Sequence, residues 1–244
     1  MIFELLDATW PADSVRQVGP WLIRDGQGGG SRVSAATAMS PVRVSAATAM
    51  SQVRVEERLV AEQAMQDLGQ IPLFMIRPGD ERLDSQLAEA GYVVKDPVIA
   101  YSATVAALTA LDLPAKTTFR AFPPLAVQAE IWASAGIGPA RLAIMDRVAG
   151  PRTSFLGRLQ DQPAGCVFVA CHGPQAMLHA LEVVSGFRRQ GLGRHLLIAA
   201  ARWAQEQGAE TMALVVTRAN LGANALYTSL GMGVVGQYHY RIRP

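Results

Sequence analysis

The sequence predicts an α/β (α+β) fold in which helices flank a central, mostly antiparallel mixed sheet. Short apolar runs typical of strands alternate with longer runs whose apolar residues recur at helical spacing. Glycines follow the helical runs and are expected to end them, namely Gly69, Gly91, Gly208 and Gly231. Half of the 244 residues are hydrophobic and 17% are charged, a composition typical of a globular chain.

The second half of the chain carries the clearer pattern. It predicts a helical region over Pro124–Ile144, broken near Gly136–Pro139, and then an antiparallel meander of strands over Thr153–Leu159, Cys166–Cys171 and Ala176–Val184. A long helix, a strand, a short helix and one or two closing strands are expected next, over Leu192–Gln207, Thr211–Thr217, Leu221–Leu230 and Val234–Ile242. One apolar face of the long helix predicts that it packs on the sheet.

The first half repeats this order of elements. Helices are expected over Val55–Leu68 and Asp80–Ala90, and strands over Ile71–Arg77 and Tyr92–Ala103, with Pro97 as a break. Because the helix-ending glycines are similarly spaced in both halves, we expect two related lobes, residues 1–110 and 111–244. Counting back from those glycines places Gln52, Arg54 and Leu87 where the second half has Gly191, Gly193 and Tyr227.

Two segments near the N-terminus are interpreted without a functional site. Residues 32–42 recur almost unchanged as residues 43–53, which indicates a local duplication, either looped out or lengthening one strand. Two copies are too few for a solenoid. Gly28–Gly30 reads as a loop, and no helix pattern follows it, so we do not interpret it as a phosphate site.

A glycine turn dominates the second half. Arg188-Arg189-Gln190-Gly191-Leu192-Gly193 stands between a strand-like run and the long helix. The first N–H groups of a helix have no partner within it, and its dipole favours negative charge there. Glycines let a ligand approach the backbone closely. The turn therefore predicts an anion site, with a diphosphate as the leading ligand.

Several classes of protein are disfavoured. Cys166 and Cys171 are separated by an odd number of residues on one strand, so their side chains are expected on opposite faces, and we predict no metal site. The net charge of +2 is too small to argue for nucleic acid. No targeting segment and no apolar run of about 18 residues appears, which predicts a cytoplasmic chain without membrane association.

The second half resembles the GNAT superfamily of acyl-CoA-dependent N-acyltransferases. The family signature, Arg/Gln-x-x-Gly-x-Gly/Ala, is present as Arg188-x-x-Gly191-x-Gly193. A second feature is an Asn followed by Ala, Tyr and Gly in the next short helix, here Asn220, Ala223, Tyr227 and Gly231. The order of elements is similar too. The resemblance covers residues 116–244, and it extends to the first half only as a degenerate, GNAT-like lobe without the cofactor motif.

The resemblance implies a site for acetyl-CoA as co-substrate. The pyrophosphate would lie on the turn and first helical residues, which are Arg188, Arg189, Gln190, Gly191, Leu192, Gly193 and Arg194. Backbone groups of Val183 and Val184 would meet the pantetheine arm where their strand splays from the next. Asn220 would contact the cofactor, cap the helix, or both, beside Ala223. Tyr227 is implied as the general acid that protonates the departing thiolate.

Glu182 is our candidate for the base that accepts the amine proton. It lies in an apolar run, where burial would raise its pKa. The alternative is a carboxylate that faces solvent or pairs with an arginine. His179 and His172 are substitutes for the base, although His179 and Glu182 are expected on opposite faces of the strand. Trp132, His179 and His239 are candidates for the acceptor side, and the alternative for His239 is that its strand simply covers the sheet.

These residues together predict an N-acetyltransferase that moves an acetyl group from acetyl-CoA to a primary amine. Direct attack in a ternary complex is favoured over an acyl-cysteine, because neither cysteine lies near the glycine turn in sequence. The alternative is a non-catalytic acyl-CoA-binding or interaction module. The acceptor stays open among small amines, amino acids, antibiotics and proteins, and the chain is expected to be a monomer, with its lobes as a pseudo-dimer, or a homodimer.

Overall fold

The computed structural model describes residues 2–39 and 54–244. Most of the duplicated segment, including Gln52, therefore lies outside the described residues. In the first part of the chain the elements are α1 (Ile2–Thr9), β1 (Ser14–Val18), β2 (Trp21–Asp25), α2 (Ser31–Ser34), β3 (Thr37–Ala38), α3 (Val55–Gln66), β4 (Leu73–Ile76), α4 (Glu81–Glu89), β5 (Val93–Thr104) and α5 (Val105–Thr109).

The remaining elements are β6 (Thr118–Ala121), α6 (Ala126–Ser134), α7 (Pro139–Arg147), β7 (Arg152–Leu159), β8 (Gln162–His172), β9 (Gln175–Val183), the 3₁₀ turn Ser185–Phe187, α8 (Leu192–Glu206), β10 (Thr211–Thr217), α9 (Leu221–Ser229) and β11 (Gly233–Ile242). From α6 onwards they follow the order that the sequence predicts, and β6 precedes them as an additional strand. The predicted class, a mixed α/β fold around a mostly antiparallel sheet, is confirmed.

The chain forms two compact units that are not continuous in sequence. The larger unit contains the segment ending at Pro11 and residues Ile99–Gly236, and the smaller contains Ala12–Val98 and Gln237–Pro244. Strands β5 and β11 contribute residues to both units. The two related lobes expected from the sequence, residues 1–110 and 111–244, stay a prediction.

The sheet of the larger unit has the order β11-β5-β10-β9-β8-β7-β6. Strands β7 to β9 form the predicted antiparallel meander, β6 adds a strand that the sequence analysis did not predict, and β10 pairs with β9 in parallel. Helix α8 packs on one face through the residues that the helical period selects, which are Leu192, Leu196, Ala199, Ala200 and Trp203. Helices α1 and α6 pack on β8 and β9.

The smaller unit has its own core. Strands β1, β2 and β3 form one antiparallel sheet, and β4 pairs with β11 in antiparallel register. Trp21, Phe74 and Tyr92 are buried in that core. Two sequence expectations differ here. Pro97 does not break β5, and Gly30 is followed by the four-residue helix α2, which is too short for the helical period to reveal it.

The described ranges were also searched for a helix that could cross a membrane. None of the helices within residues 2–39 and 54–244 is both long enough and apolar enough to do so.

Candidate functional site

A β-bulge interrupts strand β9 just before Glu182. Cys166 of β8 pairs with Glu182, and Phe168 pairs with His179. One residue therefore separates the two pairs on β8, whereas two residues, Ala180 and Leu181, separate them on β9. The additional residue is the signature of a bulge, and Ala180 has a positive φ of 50°.

The bulge changes which side chains share a face of the sheet. Residues directly opposite each other in an antiparallel pair point to the same side, and Cys166 and Phe168 are two residues apart on β8. His179 and Glu182 therefore lie on the same face. The expectation that they face opposite sides is wrong, because simple alternation does not hold across the bulge.

Helices α1 and α6 cover this shared face. Trp10, which follows α1, stacks on His179 with ring centroids 4.9 Å apart. Cys166 donates its thiol to the carbonyl oxygen of Gln128 on α6, with a sulfur–oxygen distance of 3.8 Å. Cys171 belongs to the opposite core under α8. The predicted placement of the two cysteines on opposite faces is confirmed.

Glu182 is partly buried at the end of β9. Burial raises the pKa of its carboxyl above the usual range, and the nearby Arg188 guanidinium offsets part of that rise. The negative charge of Glu182 also helps to raise the pKa of Cys166 and of Tyr227, after the larger effect of burial on both groups. Glu182 and Tyr227 are thus close enough for their charges to interact.

Tyr227 is buried on α9, and a second tyrosine lies beside it. The rings of Tyr101 and Tyr227 have centroids 5.8 Å apart. Tyr101 donates its hydroxyl to Oδ1 of Asn224, at 3.1 Å. Asn224 in turn donates through Nδ2 to the carbonyl oxygens of Thr217 and Asn220, which ties the start of α9 to the end of β10. Sequence reasoning missed Tyr101 because nothing local links it to α9.

The glycine turn has the backbone shape that an anion site requires. Arg189 and Gly191 have positive φ values of 64° and 85°, and Gly191 is the N-cap of α8. A side chain at Gly193 would place its Cβ 3.1 Å from Cδ2 of Leu226, so α8 and α9 approach closely there. The first N–H groups of α8 have no partner within the helix. The backbone is therefore suited to a diphosphate.

The turn is tied to the end of β9. Arg188 donates through Nε to the carbonyl oxygen of Val183, at 2.9 Å. The N–H of Val184 donates to the carbonyl oxygen of Ala164, also at 2.9 Å. These bonds occupy two of the backbone groups at Val183 and Val184 that the resemblance assigns to a pantetheine arm.

Strands β9 and β10 separate towards the glycine turn. Their parallel pairing runs from Gln175↔Thr211 to Leu178↔Leu214. Beyond that pair, β9 continues to Val183 and β10 continues to Thr217 outside the ladder. The bulge at Ala180 lies in the part of β9 that pairs with β8 and no longer with β10, so β9 and β10 leave an opening next to Glu182.

Asn220 acts as the N-cap of α9. Its Oδ1 accepts from the N–H of Ala223 at 3.1 Å, which satisfies one of the unpaired donors at the helix start. The capping alternative is thus confirmed, and the side-chain amide nitrogen of Asn220 remains as a donor for a ligand.

His179 and Trp132 are buried where α1 and α6 cover the sheet face, and they do not form an open surface there. His179 is 3% exposed, and its Nε2 lies 2.9 Å from Oγ1 of Thr9. Because Thr9 donates its own hydroxyl proton to the carbonyl oxygen of Leu5, His179 is the donor in that pair. Trp132 is fully buried, and its indole Nε1 donates to the carbonyl oxygen of Ala180 at 2.8 Å.

His239 belongs to the smaller unit. Its Nε2 lies 2.8 Å from Oδ1 of Asp84, and Arg241 donates to the same oxygen. These two bonds lower the pKa of Asp84, with the larger effect from Arg241. Within the described parts of the chain, no group of three or more His, Cys, Asp or Glu residues is placed to hold a metal ion.

Comparisons with known proteins agree with this geometry. Residues 117–232 match the acetyltransferase (GNAT) family. Over 250 aligned residues the chain is 25% identical to YobR of Bacillus subtilis, described as an uncharacterized N-acetyltransferase, with 99% of this chain and 97% of that protein covered.

Solved structures share the fold at low sequence identity. A GCN5-related N-acetyltransferase from Kribbella flavida has a TM-score of 0.73 at 19% identity, covering all of this chain and 94% of that one. A tandem GNAT protein from the clavulanic acid biosynthesis pathway has a TM-score of 0.59 at 12% identity, covering 98% of this chain and 86% of that one.

Proposed function

We propose that this chain, whose residues 117–232 match the acetyltransferase (GNAT) family, transfers the acetyl group of acetyl-CoA to a primary amine by direct attack in a ternary complex. The observation that carries this proposal is the glycine turn at the start of α8, which follows the part of β9 that no longer pairs with β10.

The glycine turn suits the diphosphate of the donor. The backbone N–H groups of residues 189–194 offer hydrogen bonds, and the α8 dipole favours the negative charge. Arg189 and Arg194 add guanidinium groups to the same helix start, where cations alone would oppose the dipole. The pantetheine arm enters the opening between β9 and β10, so the thioester comes to lie near Glu182.

Glu182 and Tyr227 then divide the proton transfers. The amine nitrogen attacks the thioester carbonyl carbon, a C–N bond forms and the C–S bond breaks. The carboxylate of Glu182 takes the proton that the amine nitrogen loses. The phenol of Tyr227 gives its proton to the departing sulfur, and the raised pKa of Tyr227 keeps that phenol protonated.

A cysteine intermediate is disfavoured for a reason that differs from the one in the sequence. Cys166 lies far from the glycine turn in the chain, yet it pairs directly with Glu182. It is fully buried, and burial raises its pKa, so its thiol stays protonated and is a poor nucleophile. Direct attack therefore remains the proposal.

Titration calorimetry with acetyl-CoA tests donor binding. We expect one site per chain, and we expect Gly191→Glu to abolish it, because that residue adds bulk and negative charge at the turn. Two sites would contradict the proposal that the first lobe lacks a donor site, and no binding at millimolar acetyl-CoA would contradict the proposal as a whole.

An amine panel tests transfer. It contains small primary amines, amino acids, aminated antibiotics and peptides with free N-termini or lysines, and release of the CoA thiol is followed. We expect at least one acceptor to turn over. Tight acetyl-CoA binding without turnover of any amine would favour a non-catalytic acyl-CoA-binding module instead.

A further inference from the structure

The bulge in β9 holds a residue in an unfavourable backbone conformation. Ala180 has a φ of 50°, in the left-handed region that is unfavourable for a residue with a Cβ. Such residues persist only where the surrounding structure holds them. A specific restraint on Ala180 is therefore expected nearby.

Trp132 of α6 supplies that restraint. Its side chain is 0% exposed, and its indole N–H donates to the carbonyl oxygen of Ala180 at 2.8 Å. A buried indole N–H that lost this acceptor would be left without the hydrogen bond that burial demands. The bond therefore links the position of α6 to the conformation of the bulge.

The bulge in turn decides which face of the sheet carries Glu182. The additional residue lies between His179 and Glu182, and it brings both to the face covered by α1 and α6. Without it, alternation would turn Glu182 towards the face under α8, since a shift of one residue moves every following side chain to the other side.

We propose that Trp132 is a positioning residue for acyl transfer, which holds the Ala180 bulge through its indole N–H and thereby keeps Glu182 on the face where it meets the acceptor. This inference rests on the proposed role of Glu182 as the base. The proposed role depends on the indole N–H of Trp132, which donates to Ala180. It is therefore distinct from the contribution that the ring makes to core packing.

A matched pair of variants separates the donor from the ring. Trp132→Phe removes the N–H and keeps an aromatic side chain. Trp203→Phe makes the same change in α8, where the residue is also buried and its Nε1 has no hydrogen-bond partner among residues 2–39 and 54–244. Both variants lose similar packing, and only Trp132→Phe loses a hydrogen bond.

Turnover of the best amine from the panel is the first measurement. We expect Trp132→Phe to lower kcat about 10- to 100-fold, because a small displacement of a catalytic group has effects of that order. Its acetyl-CoA affinity should stay unchanged, since the glycine turn is not involved. Trp203→Phe should keep kcat within about twofold of wild type. Equal kcat values for the two variants would overturn the proposal.

Direct titration of Glu182 is the second measurement and needs no acceptor. Protein labelled with ¹³C at glutamate Cδ reports each carboxyl by NMR, and Glu182→Gln identifies the signal. We expect Trp132→Phe to move the pKa of Glu182 towards the ordinary carboxyl value, since the displaced group is better solvated. An unchanged Glu182 titration in Trp132→Phe would overturn the proposal.

A rescue variant tests the role of the bulge. Glycine adopts the conformation of Ala180 without the cost of a Cβ. We expect Ala180→Gly to restore at least part of the lost kcat in the Trp132→Phe background, and to restore the wild-type titration of Glu182. A double variant as slow as Trp132→Phe alone would show that Trp132 does not act through Ala180.

The proposed function and this inference fail in different ways. If Glu182→Gln turns over at the wild-type rate, Glu182 is not the base and the positioning role falls with it. If Glu182→Gln is slow while Trp132→Phe matches Trp203→Phe, the base assignment stands and only the role of Trp132 is overturned.

Discussion

Cys166 and Glu182 face each other across the β8–β9 ladder, the thiol fully buried and the carboxyl partly buried. Neighbouring groups of this kind influence each other's protonation. The carboxylate adds to the effect of burial in raising the pKa of the thiol, so the pair keeps a protonated thiol next to a basic carboxylate. That arrangement suits proton transfer and disfavours a thiolate nucleophile.

Glu182→Gln should slow turnover by about 100- to 10,000-fold, the range expected for loss of a general base. The shape of the site and its affinity for acetyl-CoA should be unchanged, because Gln is nearly isosteric. Steady-state kinetics and calorimetry check both statements. The control is Glu210→Gln, an exposed glutamate of the larger unit. A slow Glu210→Gln variant would show that the effect is not specific to Glu182.

The same residue should make stability depend on pH. The pKa of Glu182 is raised in the fold, so the folded state binds its proton more tightly than the unfolded chain. This contribution to stability is present below the unfolded pKa and is lost as pH rises through the folded pKa. Glu182→Gln should therefore melt at a higher temperature than wild type at neutral pH, with the gap closing in acid. A variant that melts lower at every pH would contradict this account.

Turnover should fall in acid through the same group. A base must be ionised to accept a proton, so the rate should decline as pH falls through the raised pKa of Glu182. We expect the pH profile of kcat for the wild type to contain an acidic limb, that is, a fall in kcat as pH decreases. The midpoint of this limb should lie above the pKa range of an ordinary carboxyl. An acidic limb whose midpoint lies in the pKa range of an ordinary carboxyl would assign that limb to a group other than Glu182.

Tyr227→Phe should reduce kcat about 10- to 100-fold, since it removes the proton donor to the departing sulfur and keeps the buried ring. The comparison is Tyr240→Phe, which removes the hydroxyl of another buried tyrosine, in the smaller unit. Single-turnover rates distinguish a slower chemical step from slower product release. Wild-type rates for Tyr227→Phe would leave the tyrosine with an orienting role at most.

Gly191→Ala should weaken acetyl-CoA binding and destabilise the fold by about 1–2 kcal/mol, the cost of a Cβ in the left-handed region. The cost comes from the φ of 85° alone, because the added Cβ would meet only the His195 ring, at an ordinary 3.7 Å. Gly186→Ala is the control in the preceding 3₁₀ turn, where nothing lies within 4 Å of the added Cβ. Calorimetry and thermal unfolding of both variants check this. Equal acetyl-CoA affinities for the two would remove Gly191 from the donor site.

Much of the secondary structure follows from local chemistry in the sequence. Glycine is the residue that most readily adopts positive φ, so Gly69, Gly91, Gly208 and Gly231 mark the ends of their helices. The apolar period of α8 predicts its buried face, and the glycine turn before it predicts an anion site. These features depend on a few neighbouring residues. The helix ends and the buried face of α8 are confirmed in the structure, and the anion site stays a prediction.

Tertiary structure alone decided the arrangement around Glu182. Simple alternation predicts the wrong face for His179 relative to Glu182, because a bulge is stabilised by a partner distant in sequence, here Trp132, 48 residues from Ala180. Thr9 and Tyr101 reach the site from parts of the chain whose local sequence carries no sign of it. The sequence by itself determined the elements and the glycine turn, through short-range backbone preferences. Long-range packing decided which side chains those elements bring together.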